Sequence, residues 1–249
     1  MSPAAILRTV VLAGAVGALE LACRTGAIPP TMVVAPSTML VGAVEALGDP
    51  EFWRHFGVTV EAVAIAMSIA IVGGFCTGFM LTRIPPLRRA VSPFLASYYS
   101  IPHLAFYPLL IVIFGLGRAP LIVLATLFAM VAMILATMAG LDRVPPVLAR
   151  TARIHRLSLL SEIWQVRLPA AAPHILSGLK LAVAYSFIGV IAGEFIMSTE
   201  GIGHEIAYAY DNFNNRRMYA LILIVLALVT TFNMTVFAWE RRMLKRRGL

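Results

Sequence analysis

Charge is what this 249-residue chain has least of: Asp, Glu, Lys and Arg supply 13% of it against 60% apolar residues, and the twelve acids are outnumbered by twenty Lys and Arg. With a mean hydropathy of +0.87, there is too little polar side chain to cover a soluble domain, and the chain reads as an integral membrane protein. Cysteine is nearly absent. Cys23 and Cys76 lie in or beside apolar runs, far apart in sequence, so neither a disulfide framework nor a thiolate metal cluster is suggested. No glycine loop is followed by Lys-Ser/Thr, so any work driven by ATP needs an ATPase on another subunit. A membrane-embedded hydrolase would need a nucleophile or metal ligands converging at one depth, for instance paired His and Glu at helical spacing; Glu205 directly follows His204 in a segment read as a loop, which does not meet that need. The basic residues form no single stripe interleaved with aromatics, which argues against nucleic acid as a partner.

Long apolar runs are what the chain does have. A spanning helix needs about 20 mostly apolar residues, and six runs qualify, near residues 4–23, 60–82, 93–115, 119–141, 171–197 and 218–239. The first carries Arg8 and Glu20 near its ends, where long side chains reach the interface. If both termini are cytoplasmic, fifteen of the twenty Lys and Arg fall on the inner side, five of them on a basic tail over 240–249. That excess orients the chain and brings anionic lipid to its inner face. The expectation is an all-α, polytopic membrane protein with about six transmembrane helices, a single transmembrane domain over 1–249.

The inner segment over about 142–170 is polar, arginine-rich and amphipathic. Pro145 and Pro146 end the fourth run, since proline removes a donor and crowds the preceding turn. A short helix over about 147–155, a break and a second short helix over about 159–166 are expected, with Ser158 capping the second. Leu160, Ile163, Trp164 and Leu168 recur every three or four residues and give one apolar face, while Arg153, Arg156, Glu162 and Arg167 supply the polar remainder. Such an element can seat in a groove of a soluble partner; the same pattern also fits a helix lying on lipid.

The third run contains Ser97-Tyr98-Tyr99-Ser100-Ile101-Pro102-His103, polar for a membrane span, and Pro102 and Pro108 leave carbonyls without helical partners. Broken backbone at membrane depth is tolerated where it is buried in protein or lines a water-filled cavity. Tyr98, Tyr99, Ser100 and His103, with Tyr185 and Glu194 on the fifth run, are therefore candidates for a translocation pathway; packing through Ser and Tyr hydrogen bonds is the alternative for each. His103 and His174 also fit as packing residues. Glu194 either touches solute or braces the Gly201-Ile202-Gly203 turn that follows it.

Aligned on Leu168-Pro169, the inner segment resembles the cytoplasmic coupling loop of the membrane subunits of ATP-driven (ABC) importers. Ala152, Val166 and Leu168-Pro169 match that pattern, while Arg150 and Arg156 stand where the family has Glu and Gly. Ile101 to Gly117 resembles the third-helix signature of importer permeases in the nitrate, sulfonate, taurine and bicarbonate group. Glu194 with Gly201-Ile202-Gly203 is similar to that group's Glu and Gly-Leu-Gly pattern, and Pro29-Pro30 with Ala35-Pro36-Ser37 lie where the family has its proline-rich segment. The matches run from about residue 29 to 240.

This resemblance implies a type I importer permease in a bacterial inner membrane, with no enzymatic activity and no cofactor in this chain, ATP and Mg being bound by the partner ATPase. It implies four kinds of partner: a second permease subunit, identical or not, two ATP-binding cassette subunits, an extracytoplasmic substrate-binding protein, and lipid. Arg150, Ala152, Arg153, Arg156, Ser158, Leu160, Ile163, Trp164, Leu168 and Pro169 would couple to the ATPase. The implied cargo is a small anion such as nitrate, a sulfonate, taurine or a carboxylate. The alternative is a self-sufficient, ion-coupled secondary transporter using Glu194 or Glu61, for which the matching repeats of interrupted helices are missing.

Overall fold

The computed structural model describes residues 3–246, and every regular element among them is helical. Helix α1 (Pro3–Arg24) is followed by α2 (Pro36–Leu47), whose opening proline suits a first turn that has no use for its N–H. Helix α3 (Pro50–Arg83) begins about ten residues before the apolar run read from sequence. Helix α4 (Pro85–Ser97) leads through a 3-10 turn (Tyr98–Ser100) to the break at Ile101 and Pro102; a second 3-10 turn (His103–Phe106) then enters α5 (Tyr107–Phe114). After α6 (Arg118–Asp142) and α7 (Pro146–Ile154), the chain continues as α8 (Leu159–Glu162), a π-helical turn (Ile163–Arg167) and α9 (Leu168–Met197). It closes with α10 (Ile202–Asp211) and α11 (Asn215–Arg246).

Five helical stretches are long and apolar enough to cross a membrane, and the pair Pro85–Ser100 and His103–Phe114, bent by 99°, makes a sixth. These are the six runs expected. Four details differ from the sequence reading. The segment 159–166 is no separate helix, because α8, the π turn and α9 form one continuous stretch from Leu159 to Met197. His204 and Glu205 lie on α10 and not in a loop. Pro108 falls in the first turn of α5, where its missing N–H breaks nothing. The basic tail continues α11 as helix to Arg246, and Arg247, Gly248 and Leu249 lie outside the described residues.

The chain forms two compact units, one of the described residues up to Thr59 with Glu194–Leu228, the other of Val60–Gly193 with the described residues from Val229 on. In the first, Phe52, Ile202, Ile206 and Leu221 are buried together with Phe56 and Met218 against them, joining α3, α10 and α11. Glu20 does not reach away to an interface as expected. Its carboxylate accepts from the Ser37 N–H at 2.9 Å and hydroxyl at 2.6 Å, so the end of α1 caps the N-terminus of α2.

In the second unit α6 is the core helix, with 61% of its apolar window buried against 11% for α11. Gly74 and Gly78 let α3 close on it: a Cβ at Gly74 would stand 2.7 Å from the Met133 side chain, and one at Gly78 2.8 Å from the Ile134 carbonyl. Small residues four apart are how membrane helices approach without a hydrophobic drive between them. Leu81, Leu95, Val131, Ile134 and Met138 seat α4 on the same helix. Tyr107 and Leu110 seat α5 against Leu121 and Leu124. Lys180 and the buried Glu240 pair at 2.7 Å and tie α9 to α11.

Candidate functional site

Three places gather the residues singled out in the sequence. The first is the segment between α6 and α9. Helix α7 ends in a left-handed turn at Arg156, φ 51°, with the Leu157 N–H donating to the Ala152 carbonyl at 3.0 Å, the closing bond of a Schellman motif. The turn is thus built as if glycine were present, with Arg156 bearing the Cβ strain. Ser158 then caps α8, its hydroxyl accepting from the Ser161 N–H at 3.2 Å.

The π turn over 163–167 has a local cause. Pro169 has no N–H to offer and its ring crowds the carbonyl four residues back, and a wider turn ahead of it makes room. That turn also explains an unexpected pair: Glu162 and Arg167 are five apart, a spacing that the wide turn brings onto one face, and they meet at 2.6 Å. Glu162 is accordingly buried, not part of an exposed polar face.

The apolar face is open. Leu160 is 70% and Trp164 68% exposed, and Val147, Ile154 and Leu159 are exposed around them. Ile163 and Leu168 are half-buried. Trp164, Leu168 and Pro169 also wall an apolar cleft of about 260 Å³ with Phe75, Ile175 and Met243. Ala152 is buried, and Arg150 and Arg156 point to solvent; the Arg153 side chain lies outside the described residues. An apolar patch of this make-up on a polar segment marks a contact surface.

The second place is the break between α4 and α5. Tyr98, Tyr99 and His103 meet Phe128 of α6 and Tyr185 of α9 in one aromatic group, with ring centroids 4.3 Å apart for Tyr98 and His103 and 4.8 Å for Phe128 and Tyr185. Ser100 ends the 3-10 turn beside them, exposed. A cavity of about 250 Å³ opens here, lined by Tyr99, Pro102, His103, Phe128 and Ile188. Glu61 is elsewhere and ion-paired with Arg118 at 3.0 Å.

The third place holds Glu194, apart from that aromatic group. It is 1% exposed. Its two oxygens receive the Thr59 hydroxyl at 2.9 and 2.8 Å, and one receives the Gly203 N–H at 3.0 Å. Thr59 accepts from the Ile202 N–H at 2.8 Å, and His55 Nδ1 accepts from the Gly201 N–H at 2.9 Å. The first two N–H groups of α10, and that of Gly201 just before it, are therefore satisfied by side chains, with a carboxylate at the positive end of the helix. Gly201, at φ 101°, is required twice over, because a Cβ there would also fall 2.2 Å from the Glu194 carboxyl carbon. The network runs on through His55 Nε2 to Glu205 at 3.3 Å, and from Glu205 to Arg217 at 2.9 Å and Asp49 at 3.2 Å from Arg217. His55 and Thr59 were not read from the sequence. They lie four apart on α3, one turn of one face, and that spacing of polar residues in an apolar helix is the signal available.

The family model of the binding-protein-dependent transport system inner membrane component matches residues 70–246. The chain is 26% identical to the taurine transport system permease protein TauC of Escherichia coli over 89% of this chain and 80% of that one. It is 27% identical to the nitrate import permease protein NrtB of Leptolyngbya laminosa, over 70% of this chain and 62% of that one. Among solved structures, an inward-facing form of the MetNI methionine ABC transporter superposes with a TM-score of 0.67 at 21% identity, covering 78% of this chain and 98% of that chain.

Proposed function

Since the chain belongs to the family of binding-protein-dependent transport system inner membrane components, we propose that it forms half of the translocation pore of an ATP-driven importer and that the segment 142–170 is its coupling element. The chain is a non-enzymatic permease subunit of an ABC importer for small solutes, resident in the inner membrane. In the fuller reading two such subunits pair, identical or not. One ATP-binding cassette subunit seats on each coupling element and holds ATP and Mg, and a substrate-binding protein delivers solute from outside. Both termini are cytoplasmic. Closure of the ATPases draws the coupling elements together, and rigid-body rocking switches the cavity between its two openings. The cargo is a small polar solute, the class that includes the taurine and nitrate named for the relatives.

The observation that carries the reading is the exposed face of Leu160 and Trp164, presented on a helix that continues without interruption into α9. Force applied at that face reaches the membrane-spanning part of the same helix directly. The secondary-transporter alternative loses its carriers, because Glu194 is occupied by the α10 N-terminus and Glu61 by Arg118. Reconstitution with a cassette subunit and a binding protein from the same organism tests the function: ATP hydrolysis should rise with solute-loaded binding protein and stay basal when this chain is left out. For orientation, a cysteine at Thr151 should be labelled only from the cytoplasmic side and one at Asp211 only from outside. Reversed labelling at either position would overturn the six-span arrangement.

A further inference from the structure

The aromatic group at the break between α4 and α5 carries a chemistry that transport alone does not assign. Tyr99, His103, Phe128 and Tyr185 stand with ring centroids 4.8 to 6.5 Å apart beside the 250 Å³ cavity. Of the three tyrosines here, among the described residues, only Tyr98 commits its hydroxyl to the protein, donating to the Leu127 carbonyl at 2.9 Å. His103 Nε2 is buried without a hydrogen-bond partner. A buried polar nitrogen left unpaired on the wall of an open space calls for a partner that enters it.

What could enter is limited by charge. The stretches that supply these rings, residues 90–117, 119–141 and 181–193, contain no Asp, Glu, Lys or Arg. A bare inorganic anion would meet the negative faces of the rings and no cation. A cationic nitrogen within about 6 Å of a ring centroid is attracted to it, and oxygens on the same molecule can accept from free tyrosine hydroxyls. We propose that Tyr99, Phe128 and Tyr185 form a solute contact of the translocation path, selective for a small organic zwitterion whose ammonium or methylated nitrogen lies against the ring faces and whose oxygens accept from the hydroxyls. The proposal rests on the importer reading and narrows its cargo away from inorganic anions.

Two thiol reagents of similar size and opposite charge test it, 2-(trimethylammonium)ethyl and 2-sulfonatoethyl methanethiosulfonate. In the importer assembled with its ATPase in proteoliposomes, with Cys23→Ala and Cys76→Ala, Ile188→Cys places one thiol in the cavity wall and keeps every ring. Rates are divided by each reagent's rate with free 2-mercaptoethanol and taken at rest and during ATP turnover. The cationic reagent should be favoured about tenfold. Phe128→Leu should cut that preference at least threefold, while Tyr99→Phe with Tyr185→Phe, which keeps the faces, should retain it. An unreactive thiol in both states would return the rings to packing, and equal rates or an anionic preference would overturn the assigned solute class. ATP hydrolysis in the same vesicles reads the importer assignment separately: if the chain assembles no ATPase, that reading falls whatever the reagents do.

Discussion

The turn at Arg156 and the turn at Gly201 both place backbone at positive φ, 51° and 101°, next to a short helix, yet they are held in opposite ways. At Gly201 three successive N–H groups, those of Gly201, Ile202 and Gly203, find buried side-chain acceptors, and the Glu194 carboxylate occupies the space a Cβ would take. At Arg156 the closures among the described residues are backbone bonds, Leu157 N–H to the Ala152 carbonyl and His155 N–H to the Thr151 carbonyl, with the Ser158 cap, and the apolar residues around them face outward. A turn whose partners are all inside the chain is finished when the chain folds. A turn whose apolar neighbours remain uncovered leaves a surface open to a partner. The same contrast separates two uses of acid in this apolar sequence: Glu20 and Glu194 each leave a long helix to cap the short helix that follows it, while Glu162 is spent within the coupling element on Arg167.

The contrast predicts effects of different kind as well as size. Gly201→Ala drives a Cβ into the Glu194 carboxylate at an unfavourable φ, and Glu194→Ala strands the buried Gly203 N–H and leaves Thr59 only the His55 carbonyl to donate to. Each should cost about 3 kcal/mol, lowering the melting temperature of the detergent-purified subunit by about 10 °C. If both variants melt as wild type, the buried cap is not what holds α10. Trp164→Ala should leave that melting curve in place and instead weaken ATPase binding about thirtyfold, about 2 kcal/mol, as read by titration of the cassette subunit onto the immobilised permease. Smallest is Arg156→Gly. Relieving the left-handed turn should raise stability by about 1 kcal/mol with assembly intact, whereas Arg156→Val should lower it; thermal melts of the pair give the sign.

Much of this was legible in the sequence because membranes impose simple rules. Six apolar runs gave six passages, and Ser97 to His103 with Pro102 gave the broken one. What was not legible has particular causes. Helices α2 and α10, 12 and 10 residues long, are too short for a span-length window, although Ile202, Ile206 and Ala209 recur at helical spacing. The continuity of α8 with α9 was hidden by Pro169, which reads as a stop when a π turn can carry the helix past it. The Glu194 site draws on His55 and Thr59, more than 130 residues earlier in the chain, and no local pattern joins them. The resemblance located Glu194 and its glycines together, but only the hydrogen bonds give the carboxylate its cap.

On the proposed function, an ATPase completes the uncovered face of the segment 142–170. The most direct measurement is co-purification of the cassette subunit with a permease carrying Leu160→Asp and Trp164→Asp, two exposed positions where charge costs the free subunit little. The account predicts a variant that melts as wild type, retains no ATPase through purification and shows no coupled hydrolysis in vesicles. Full ATPase binding with coupled hydrolysis at the wild-type rate would contradict it.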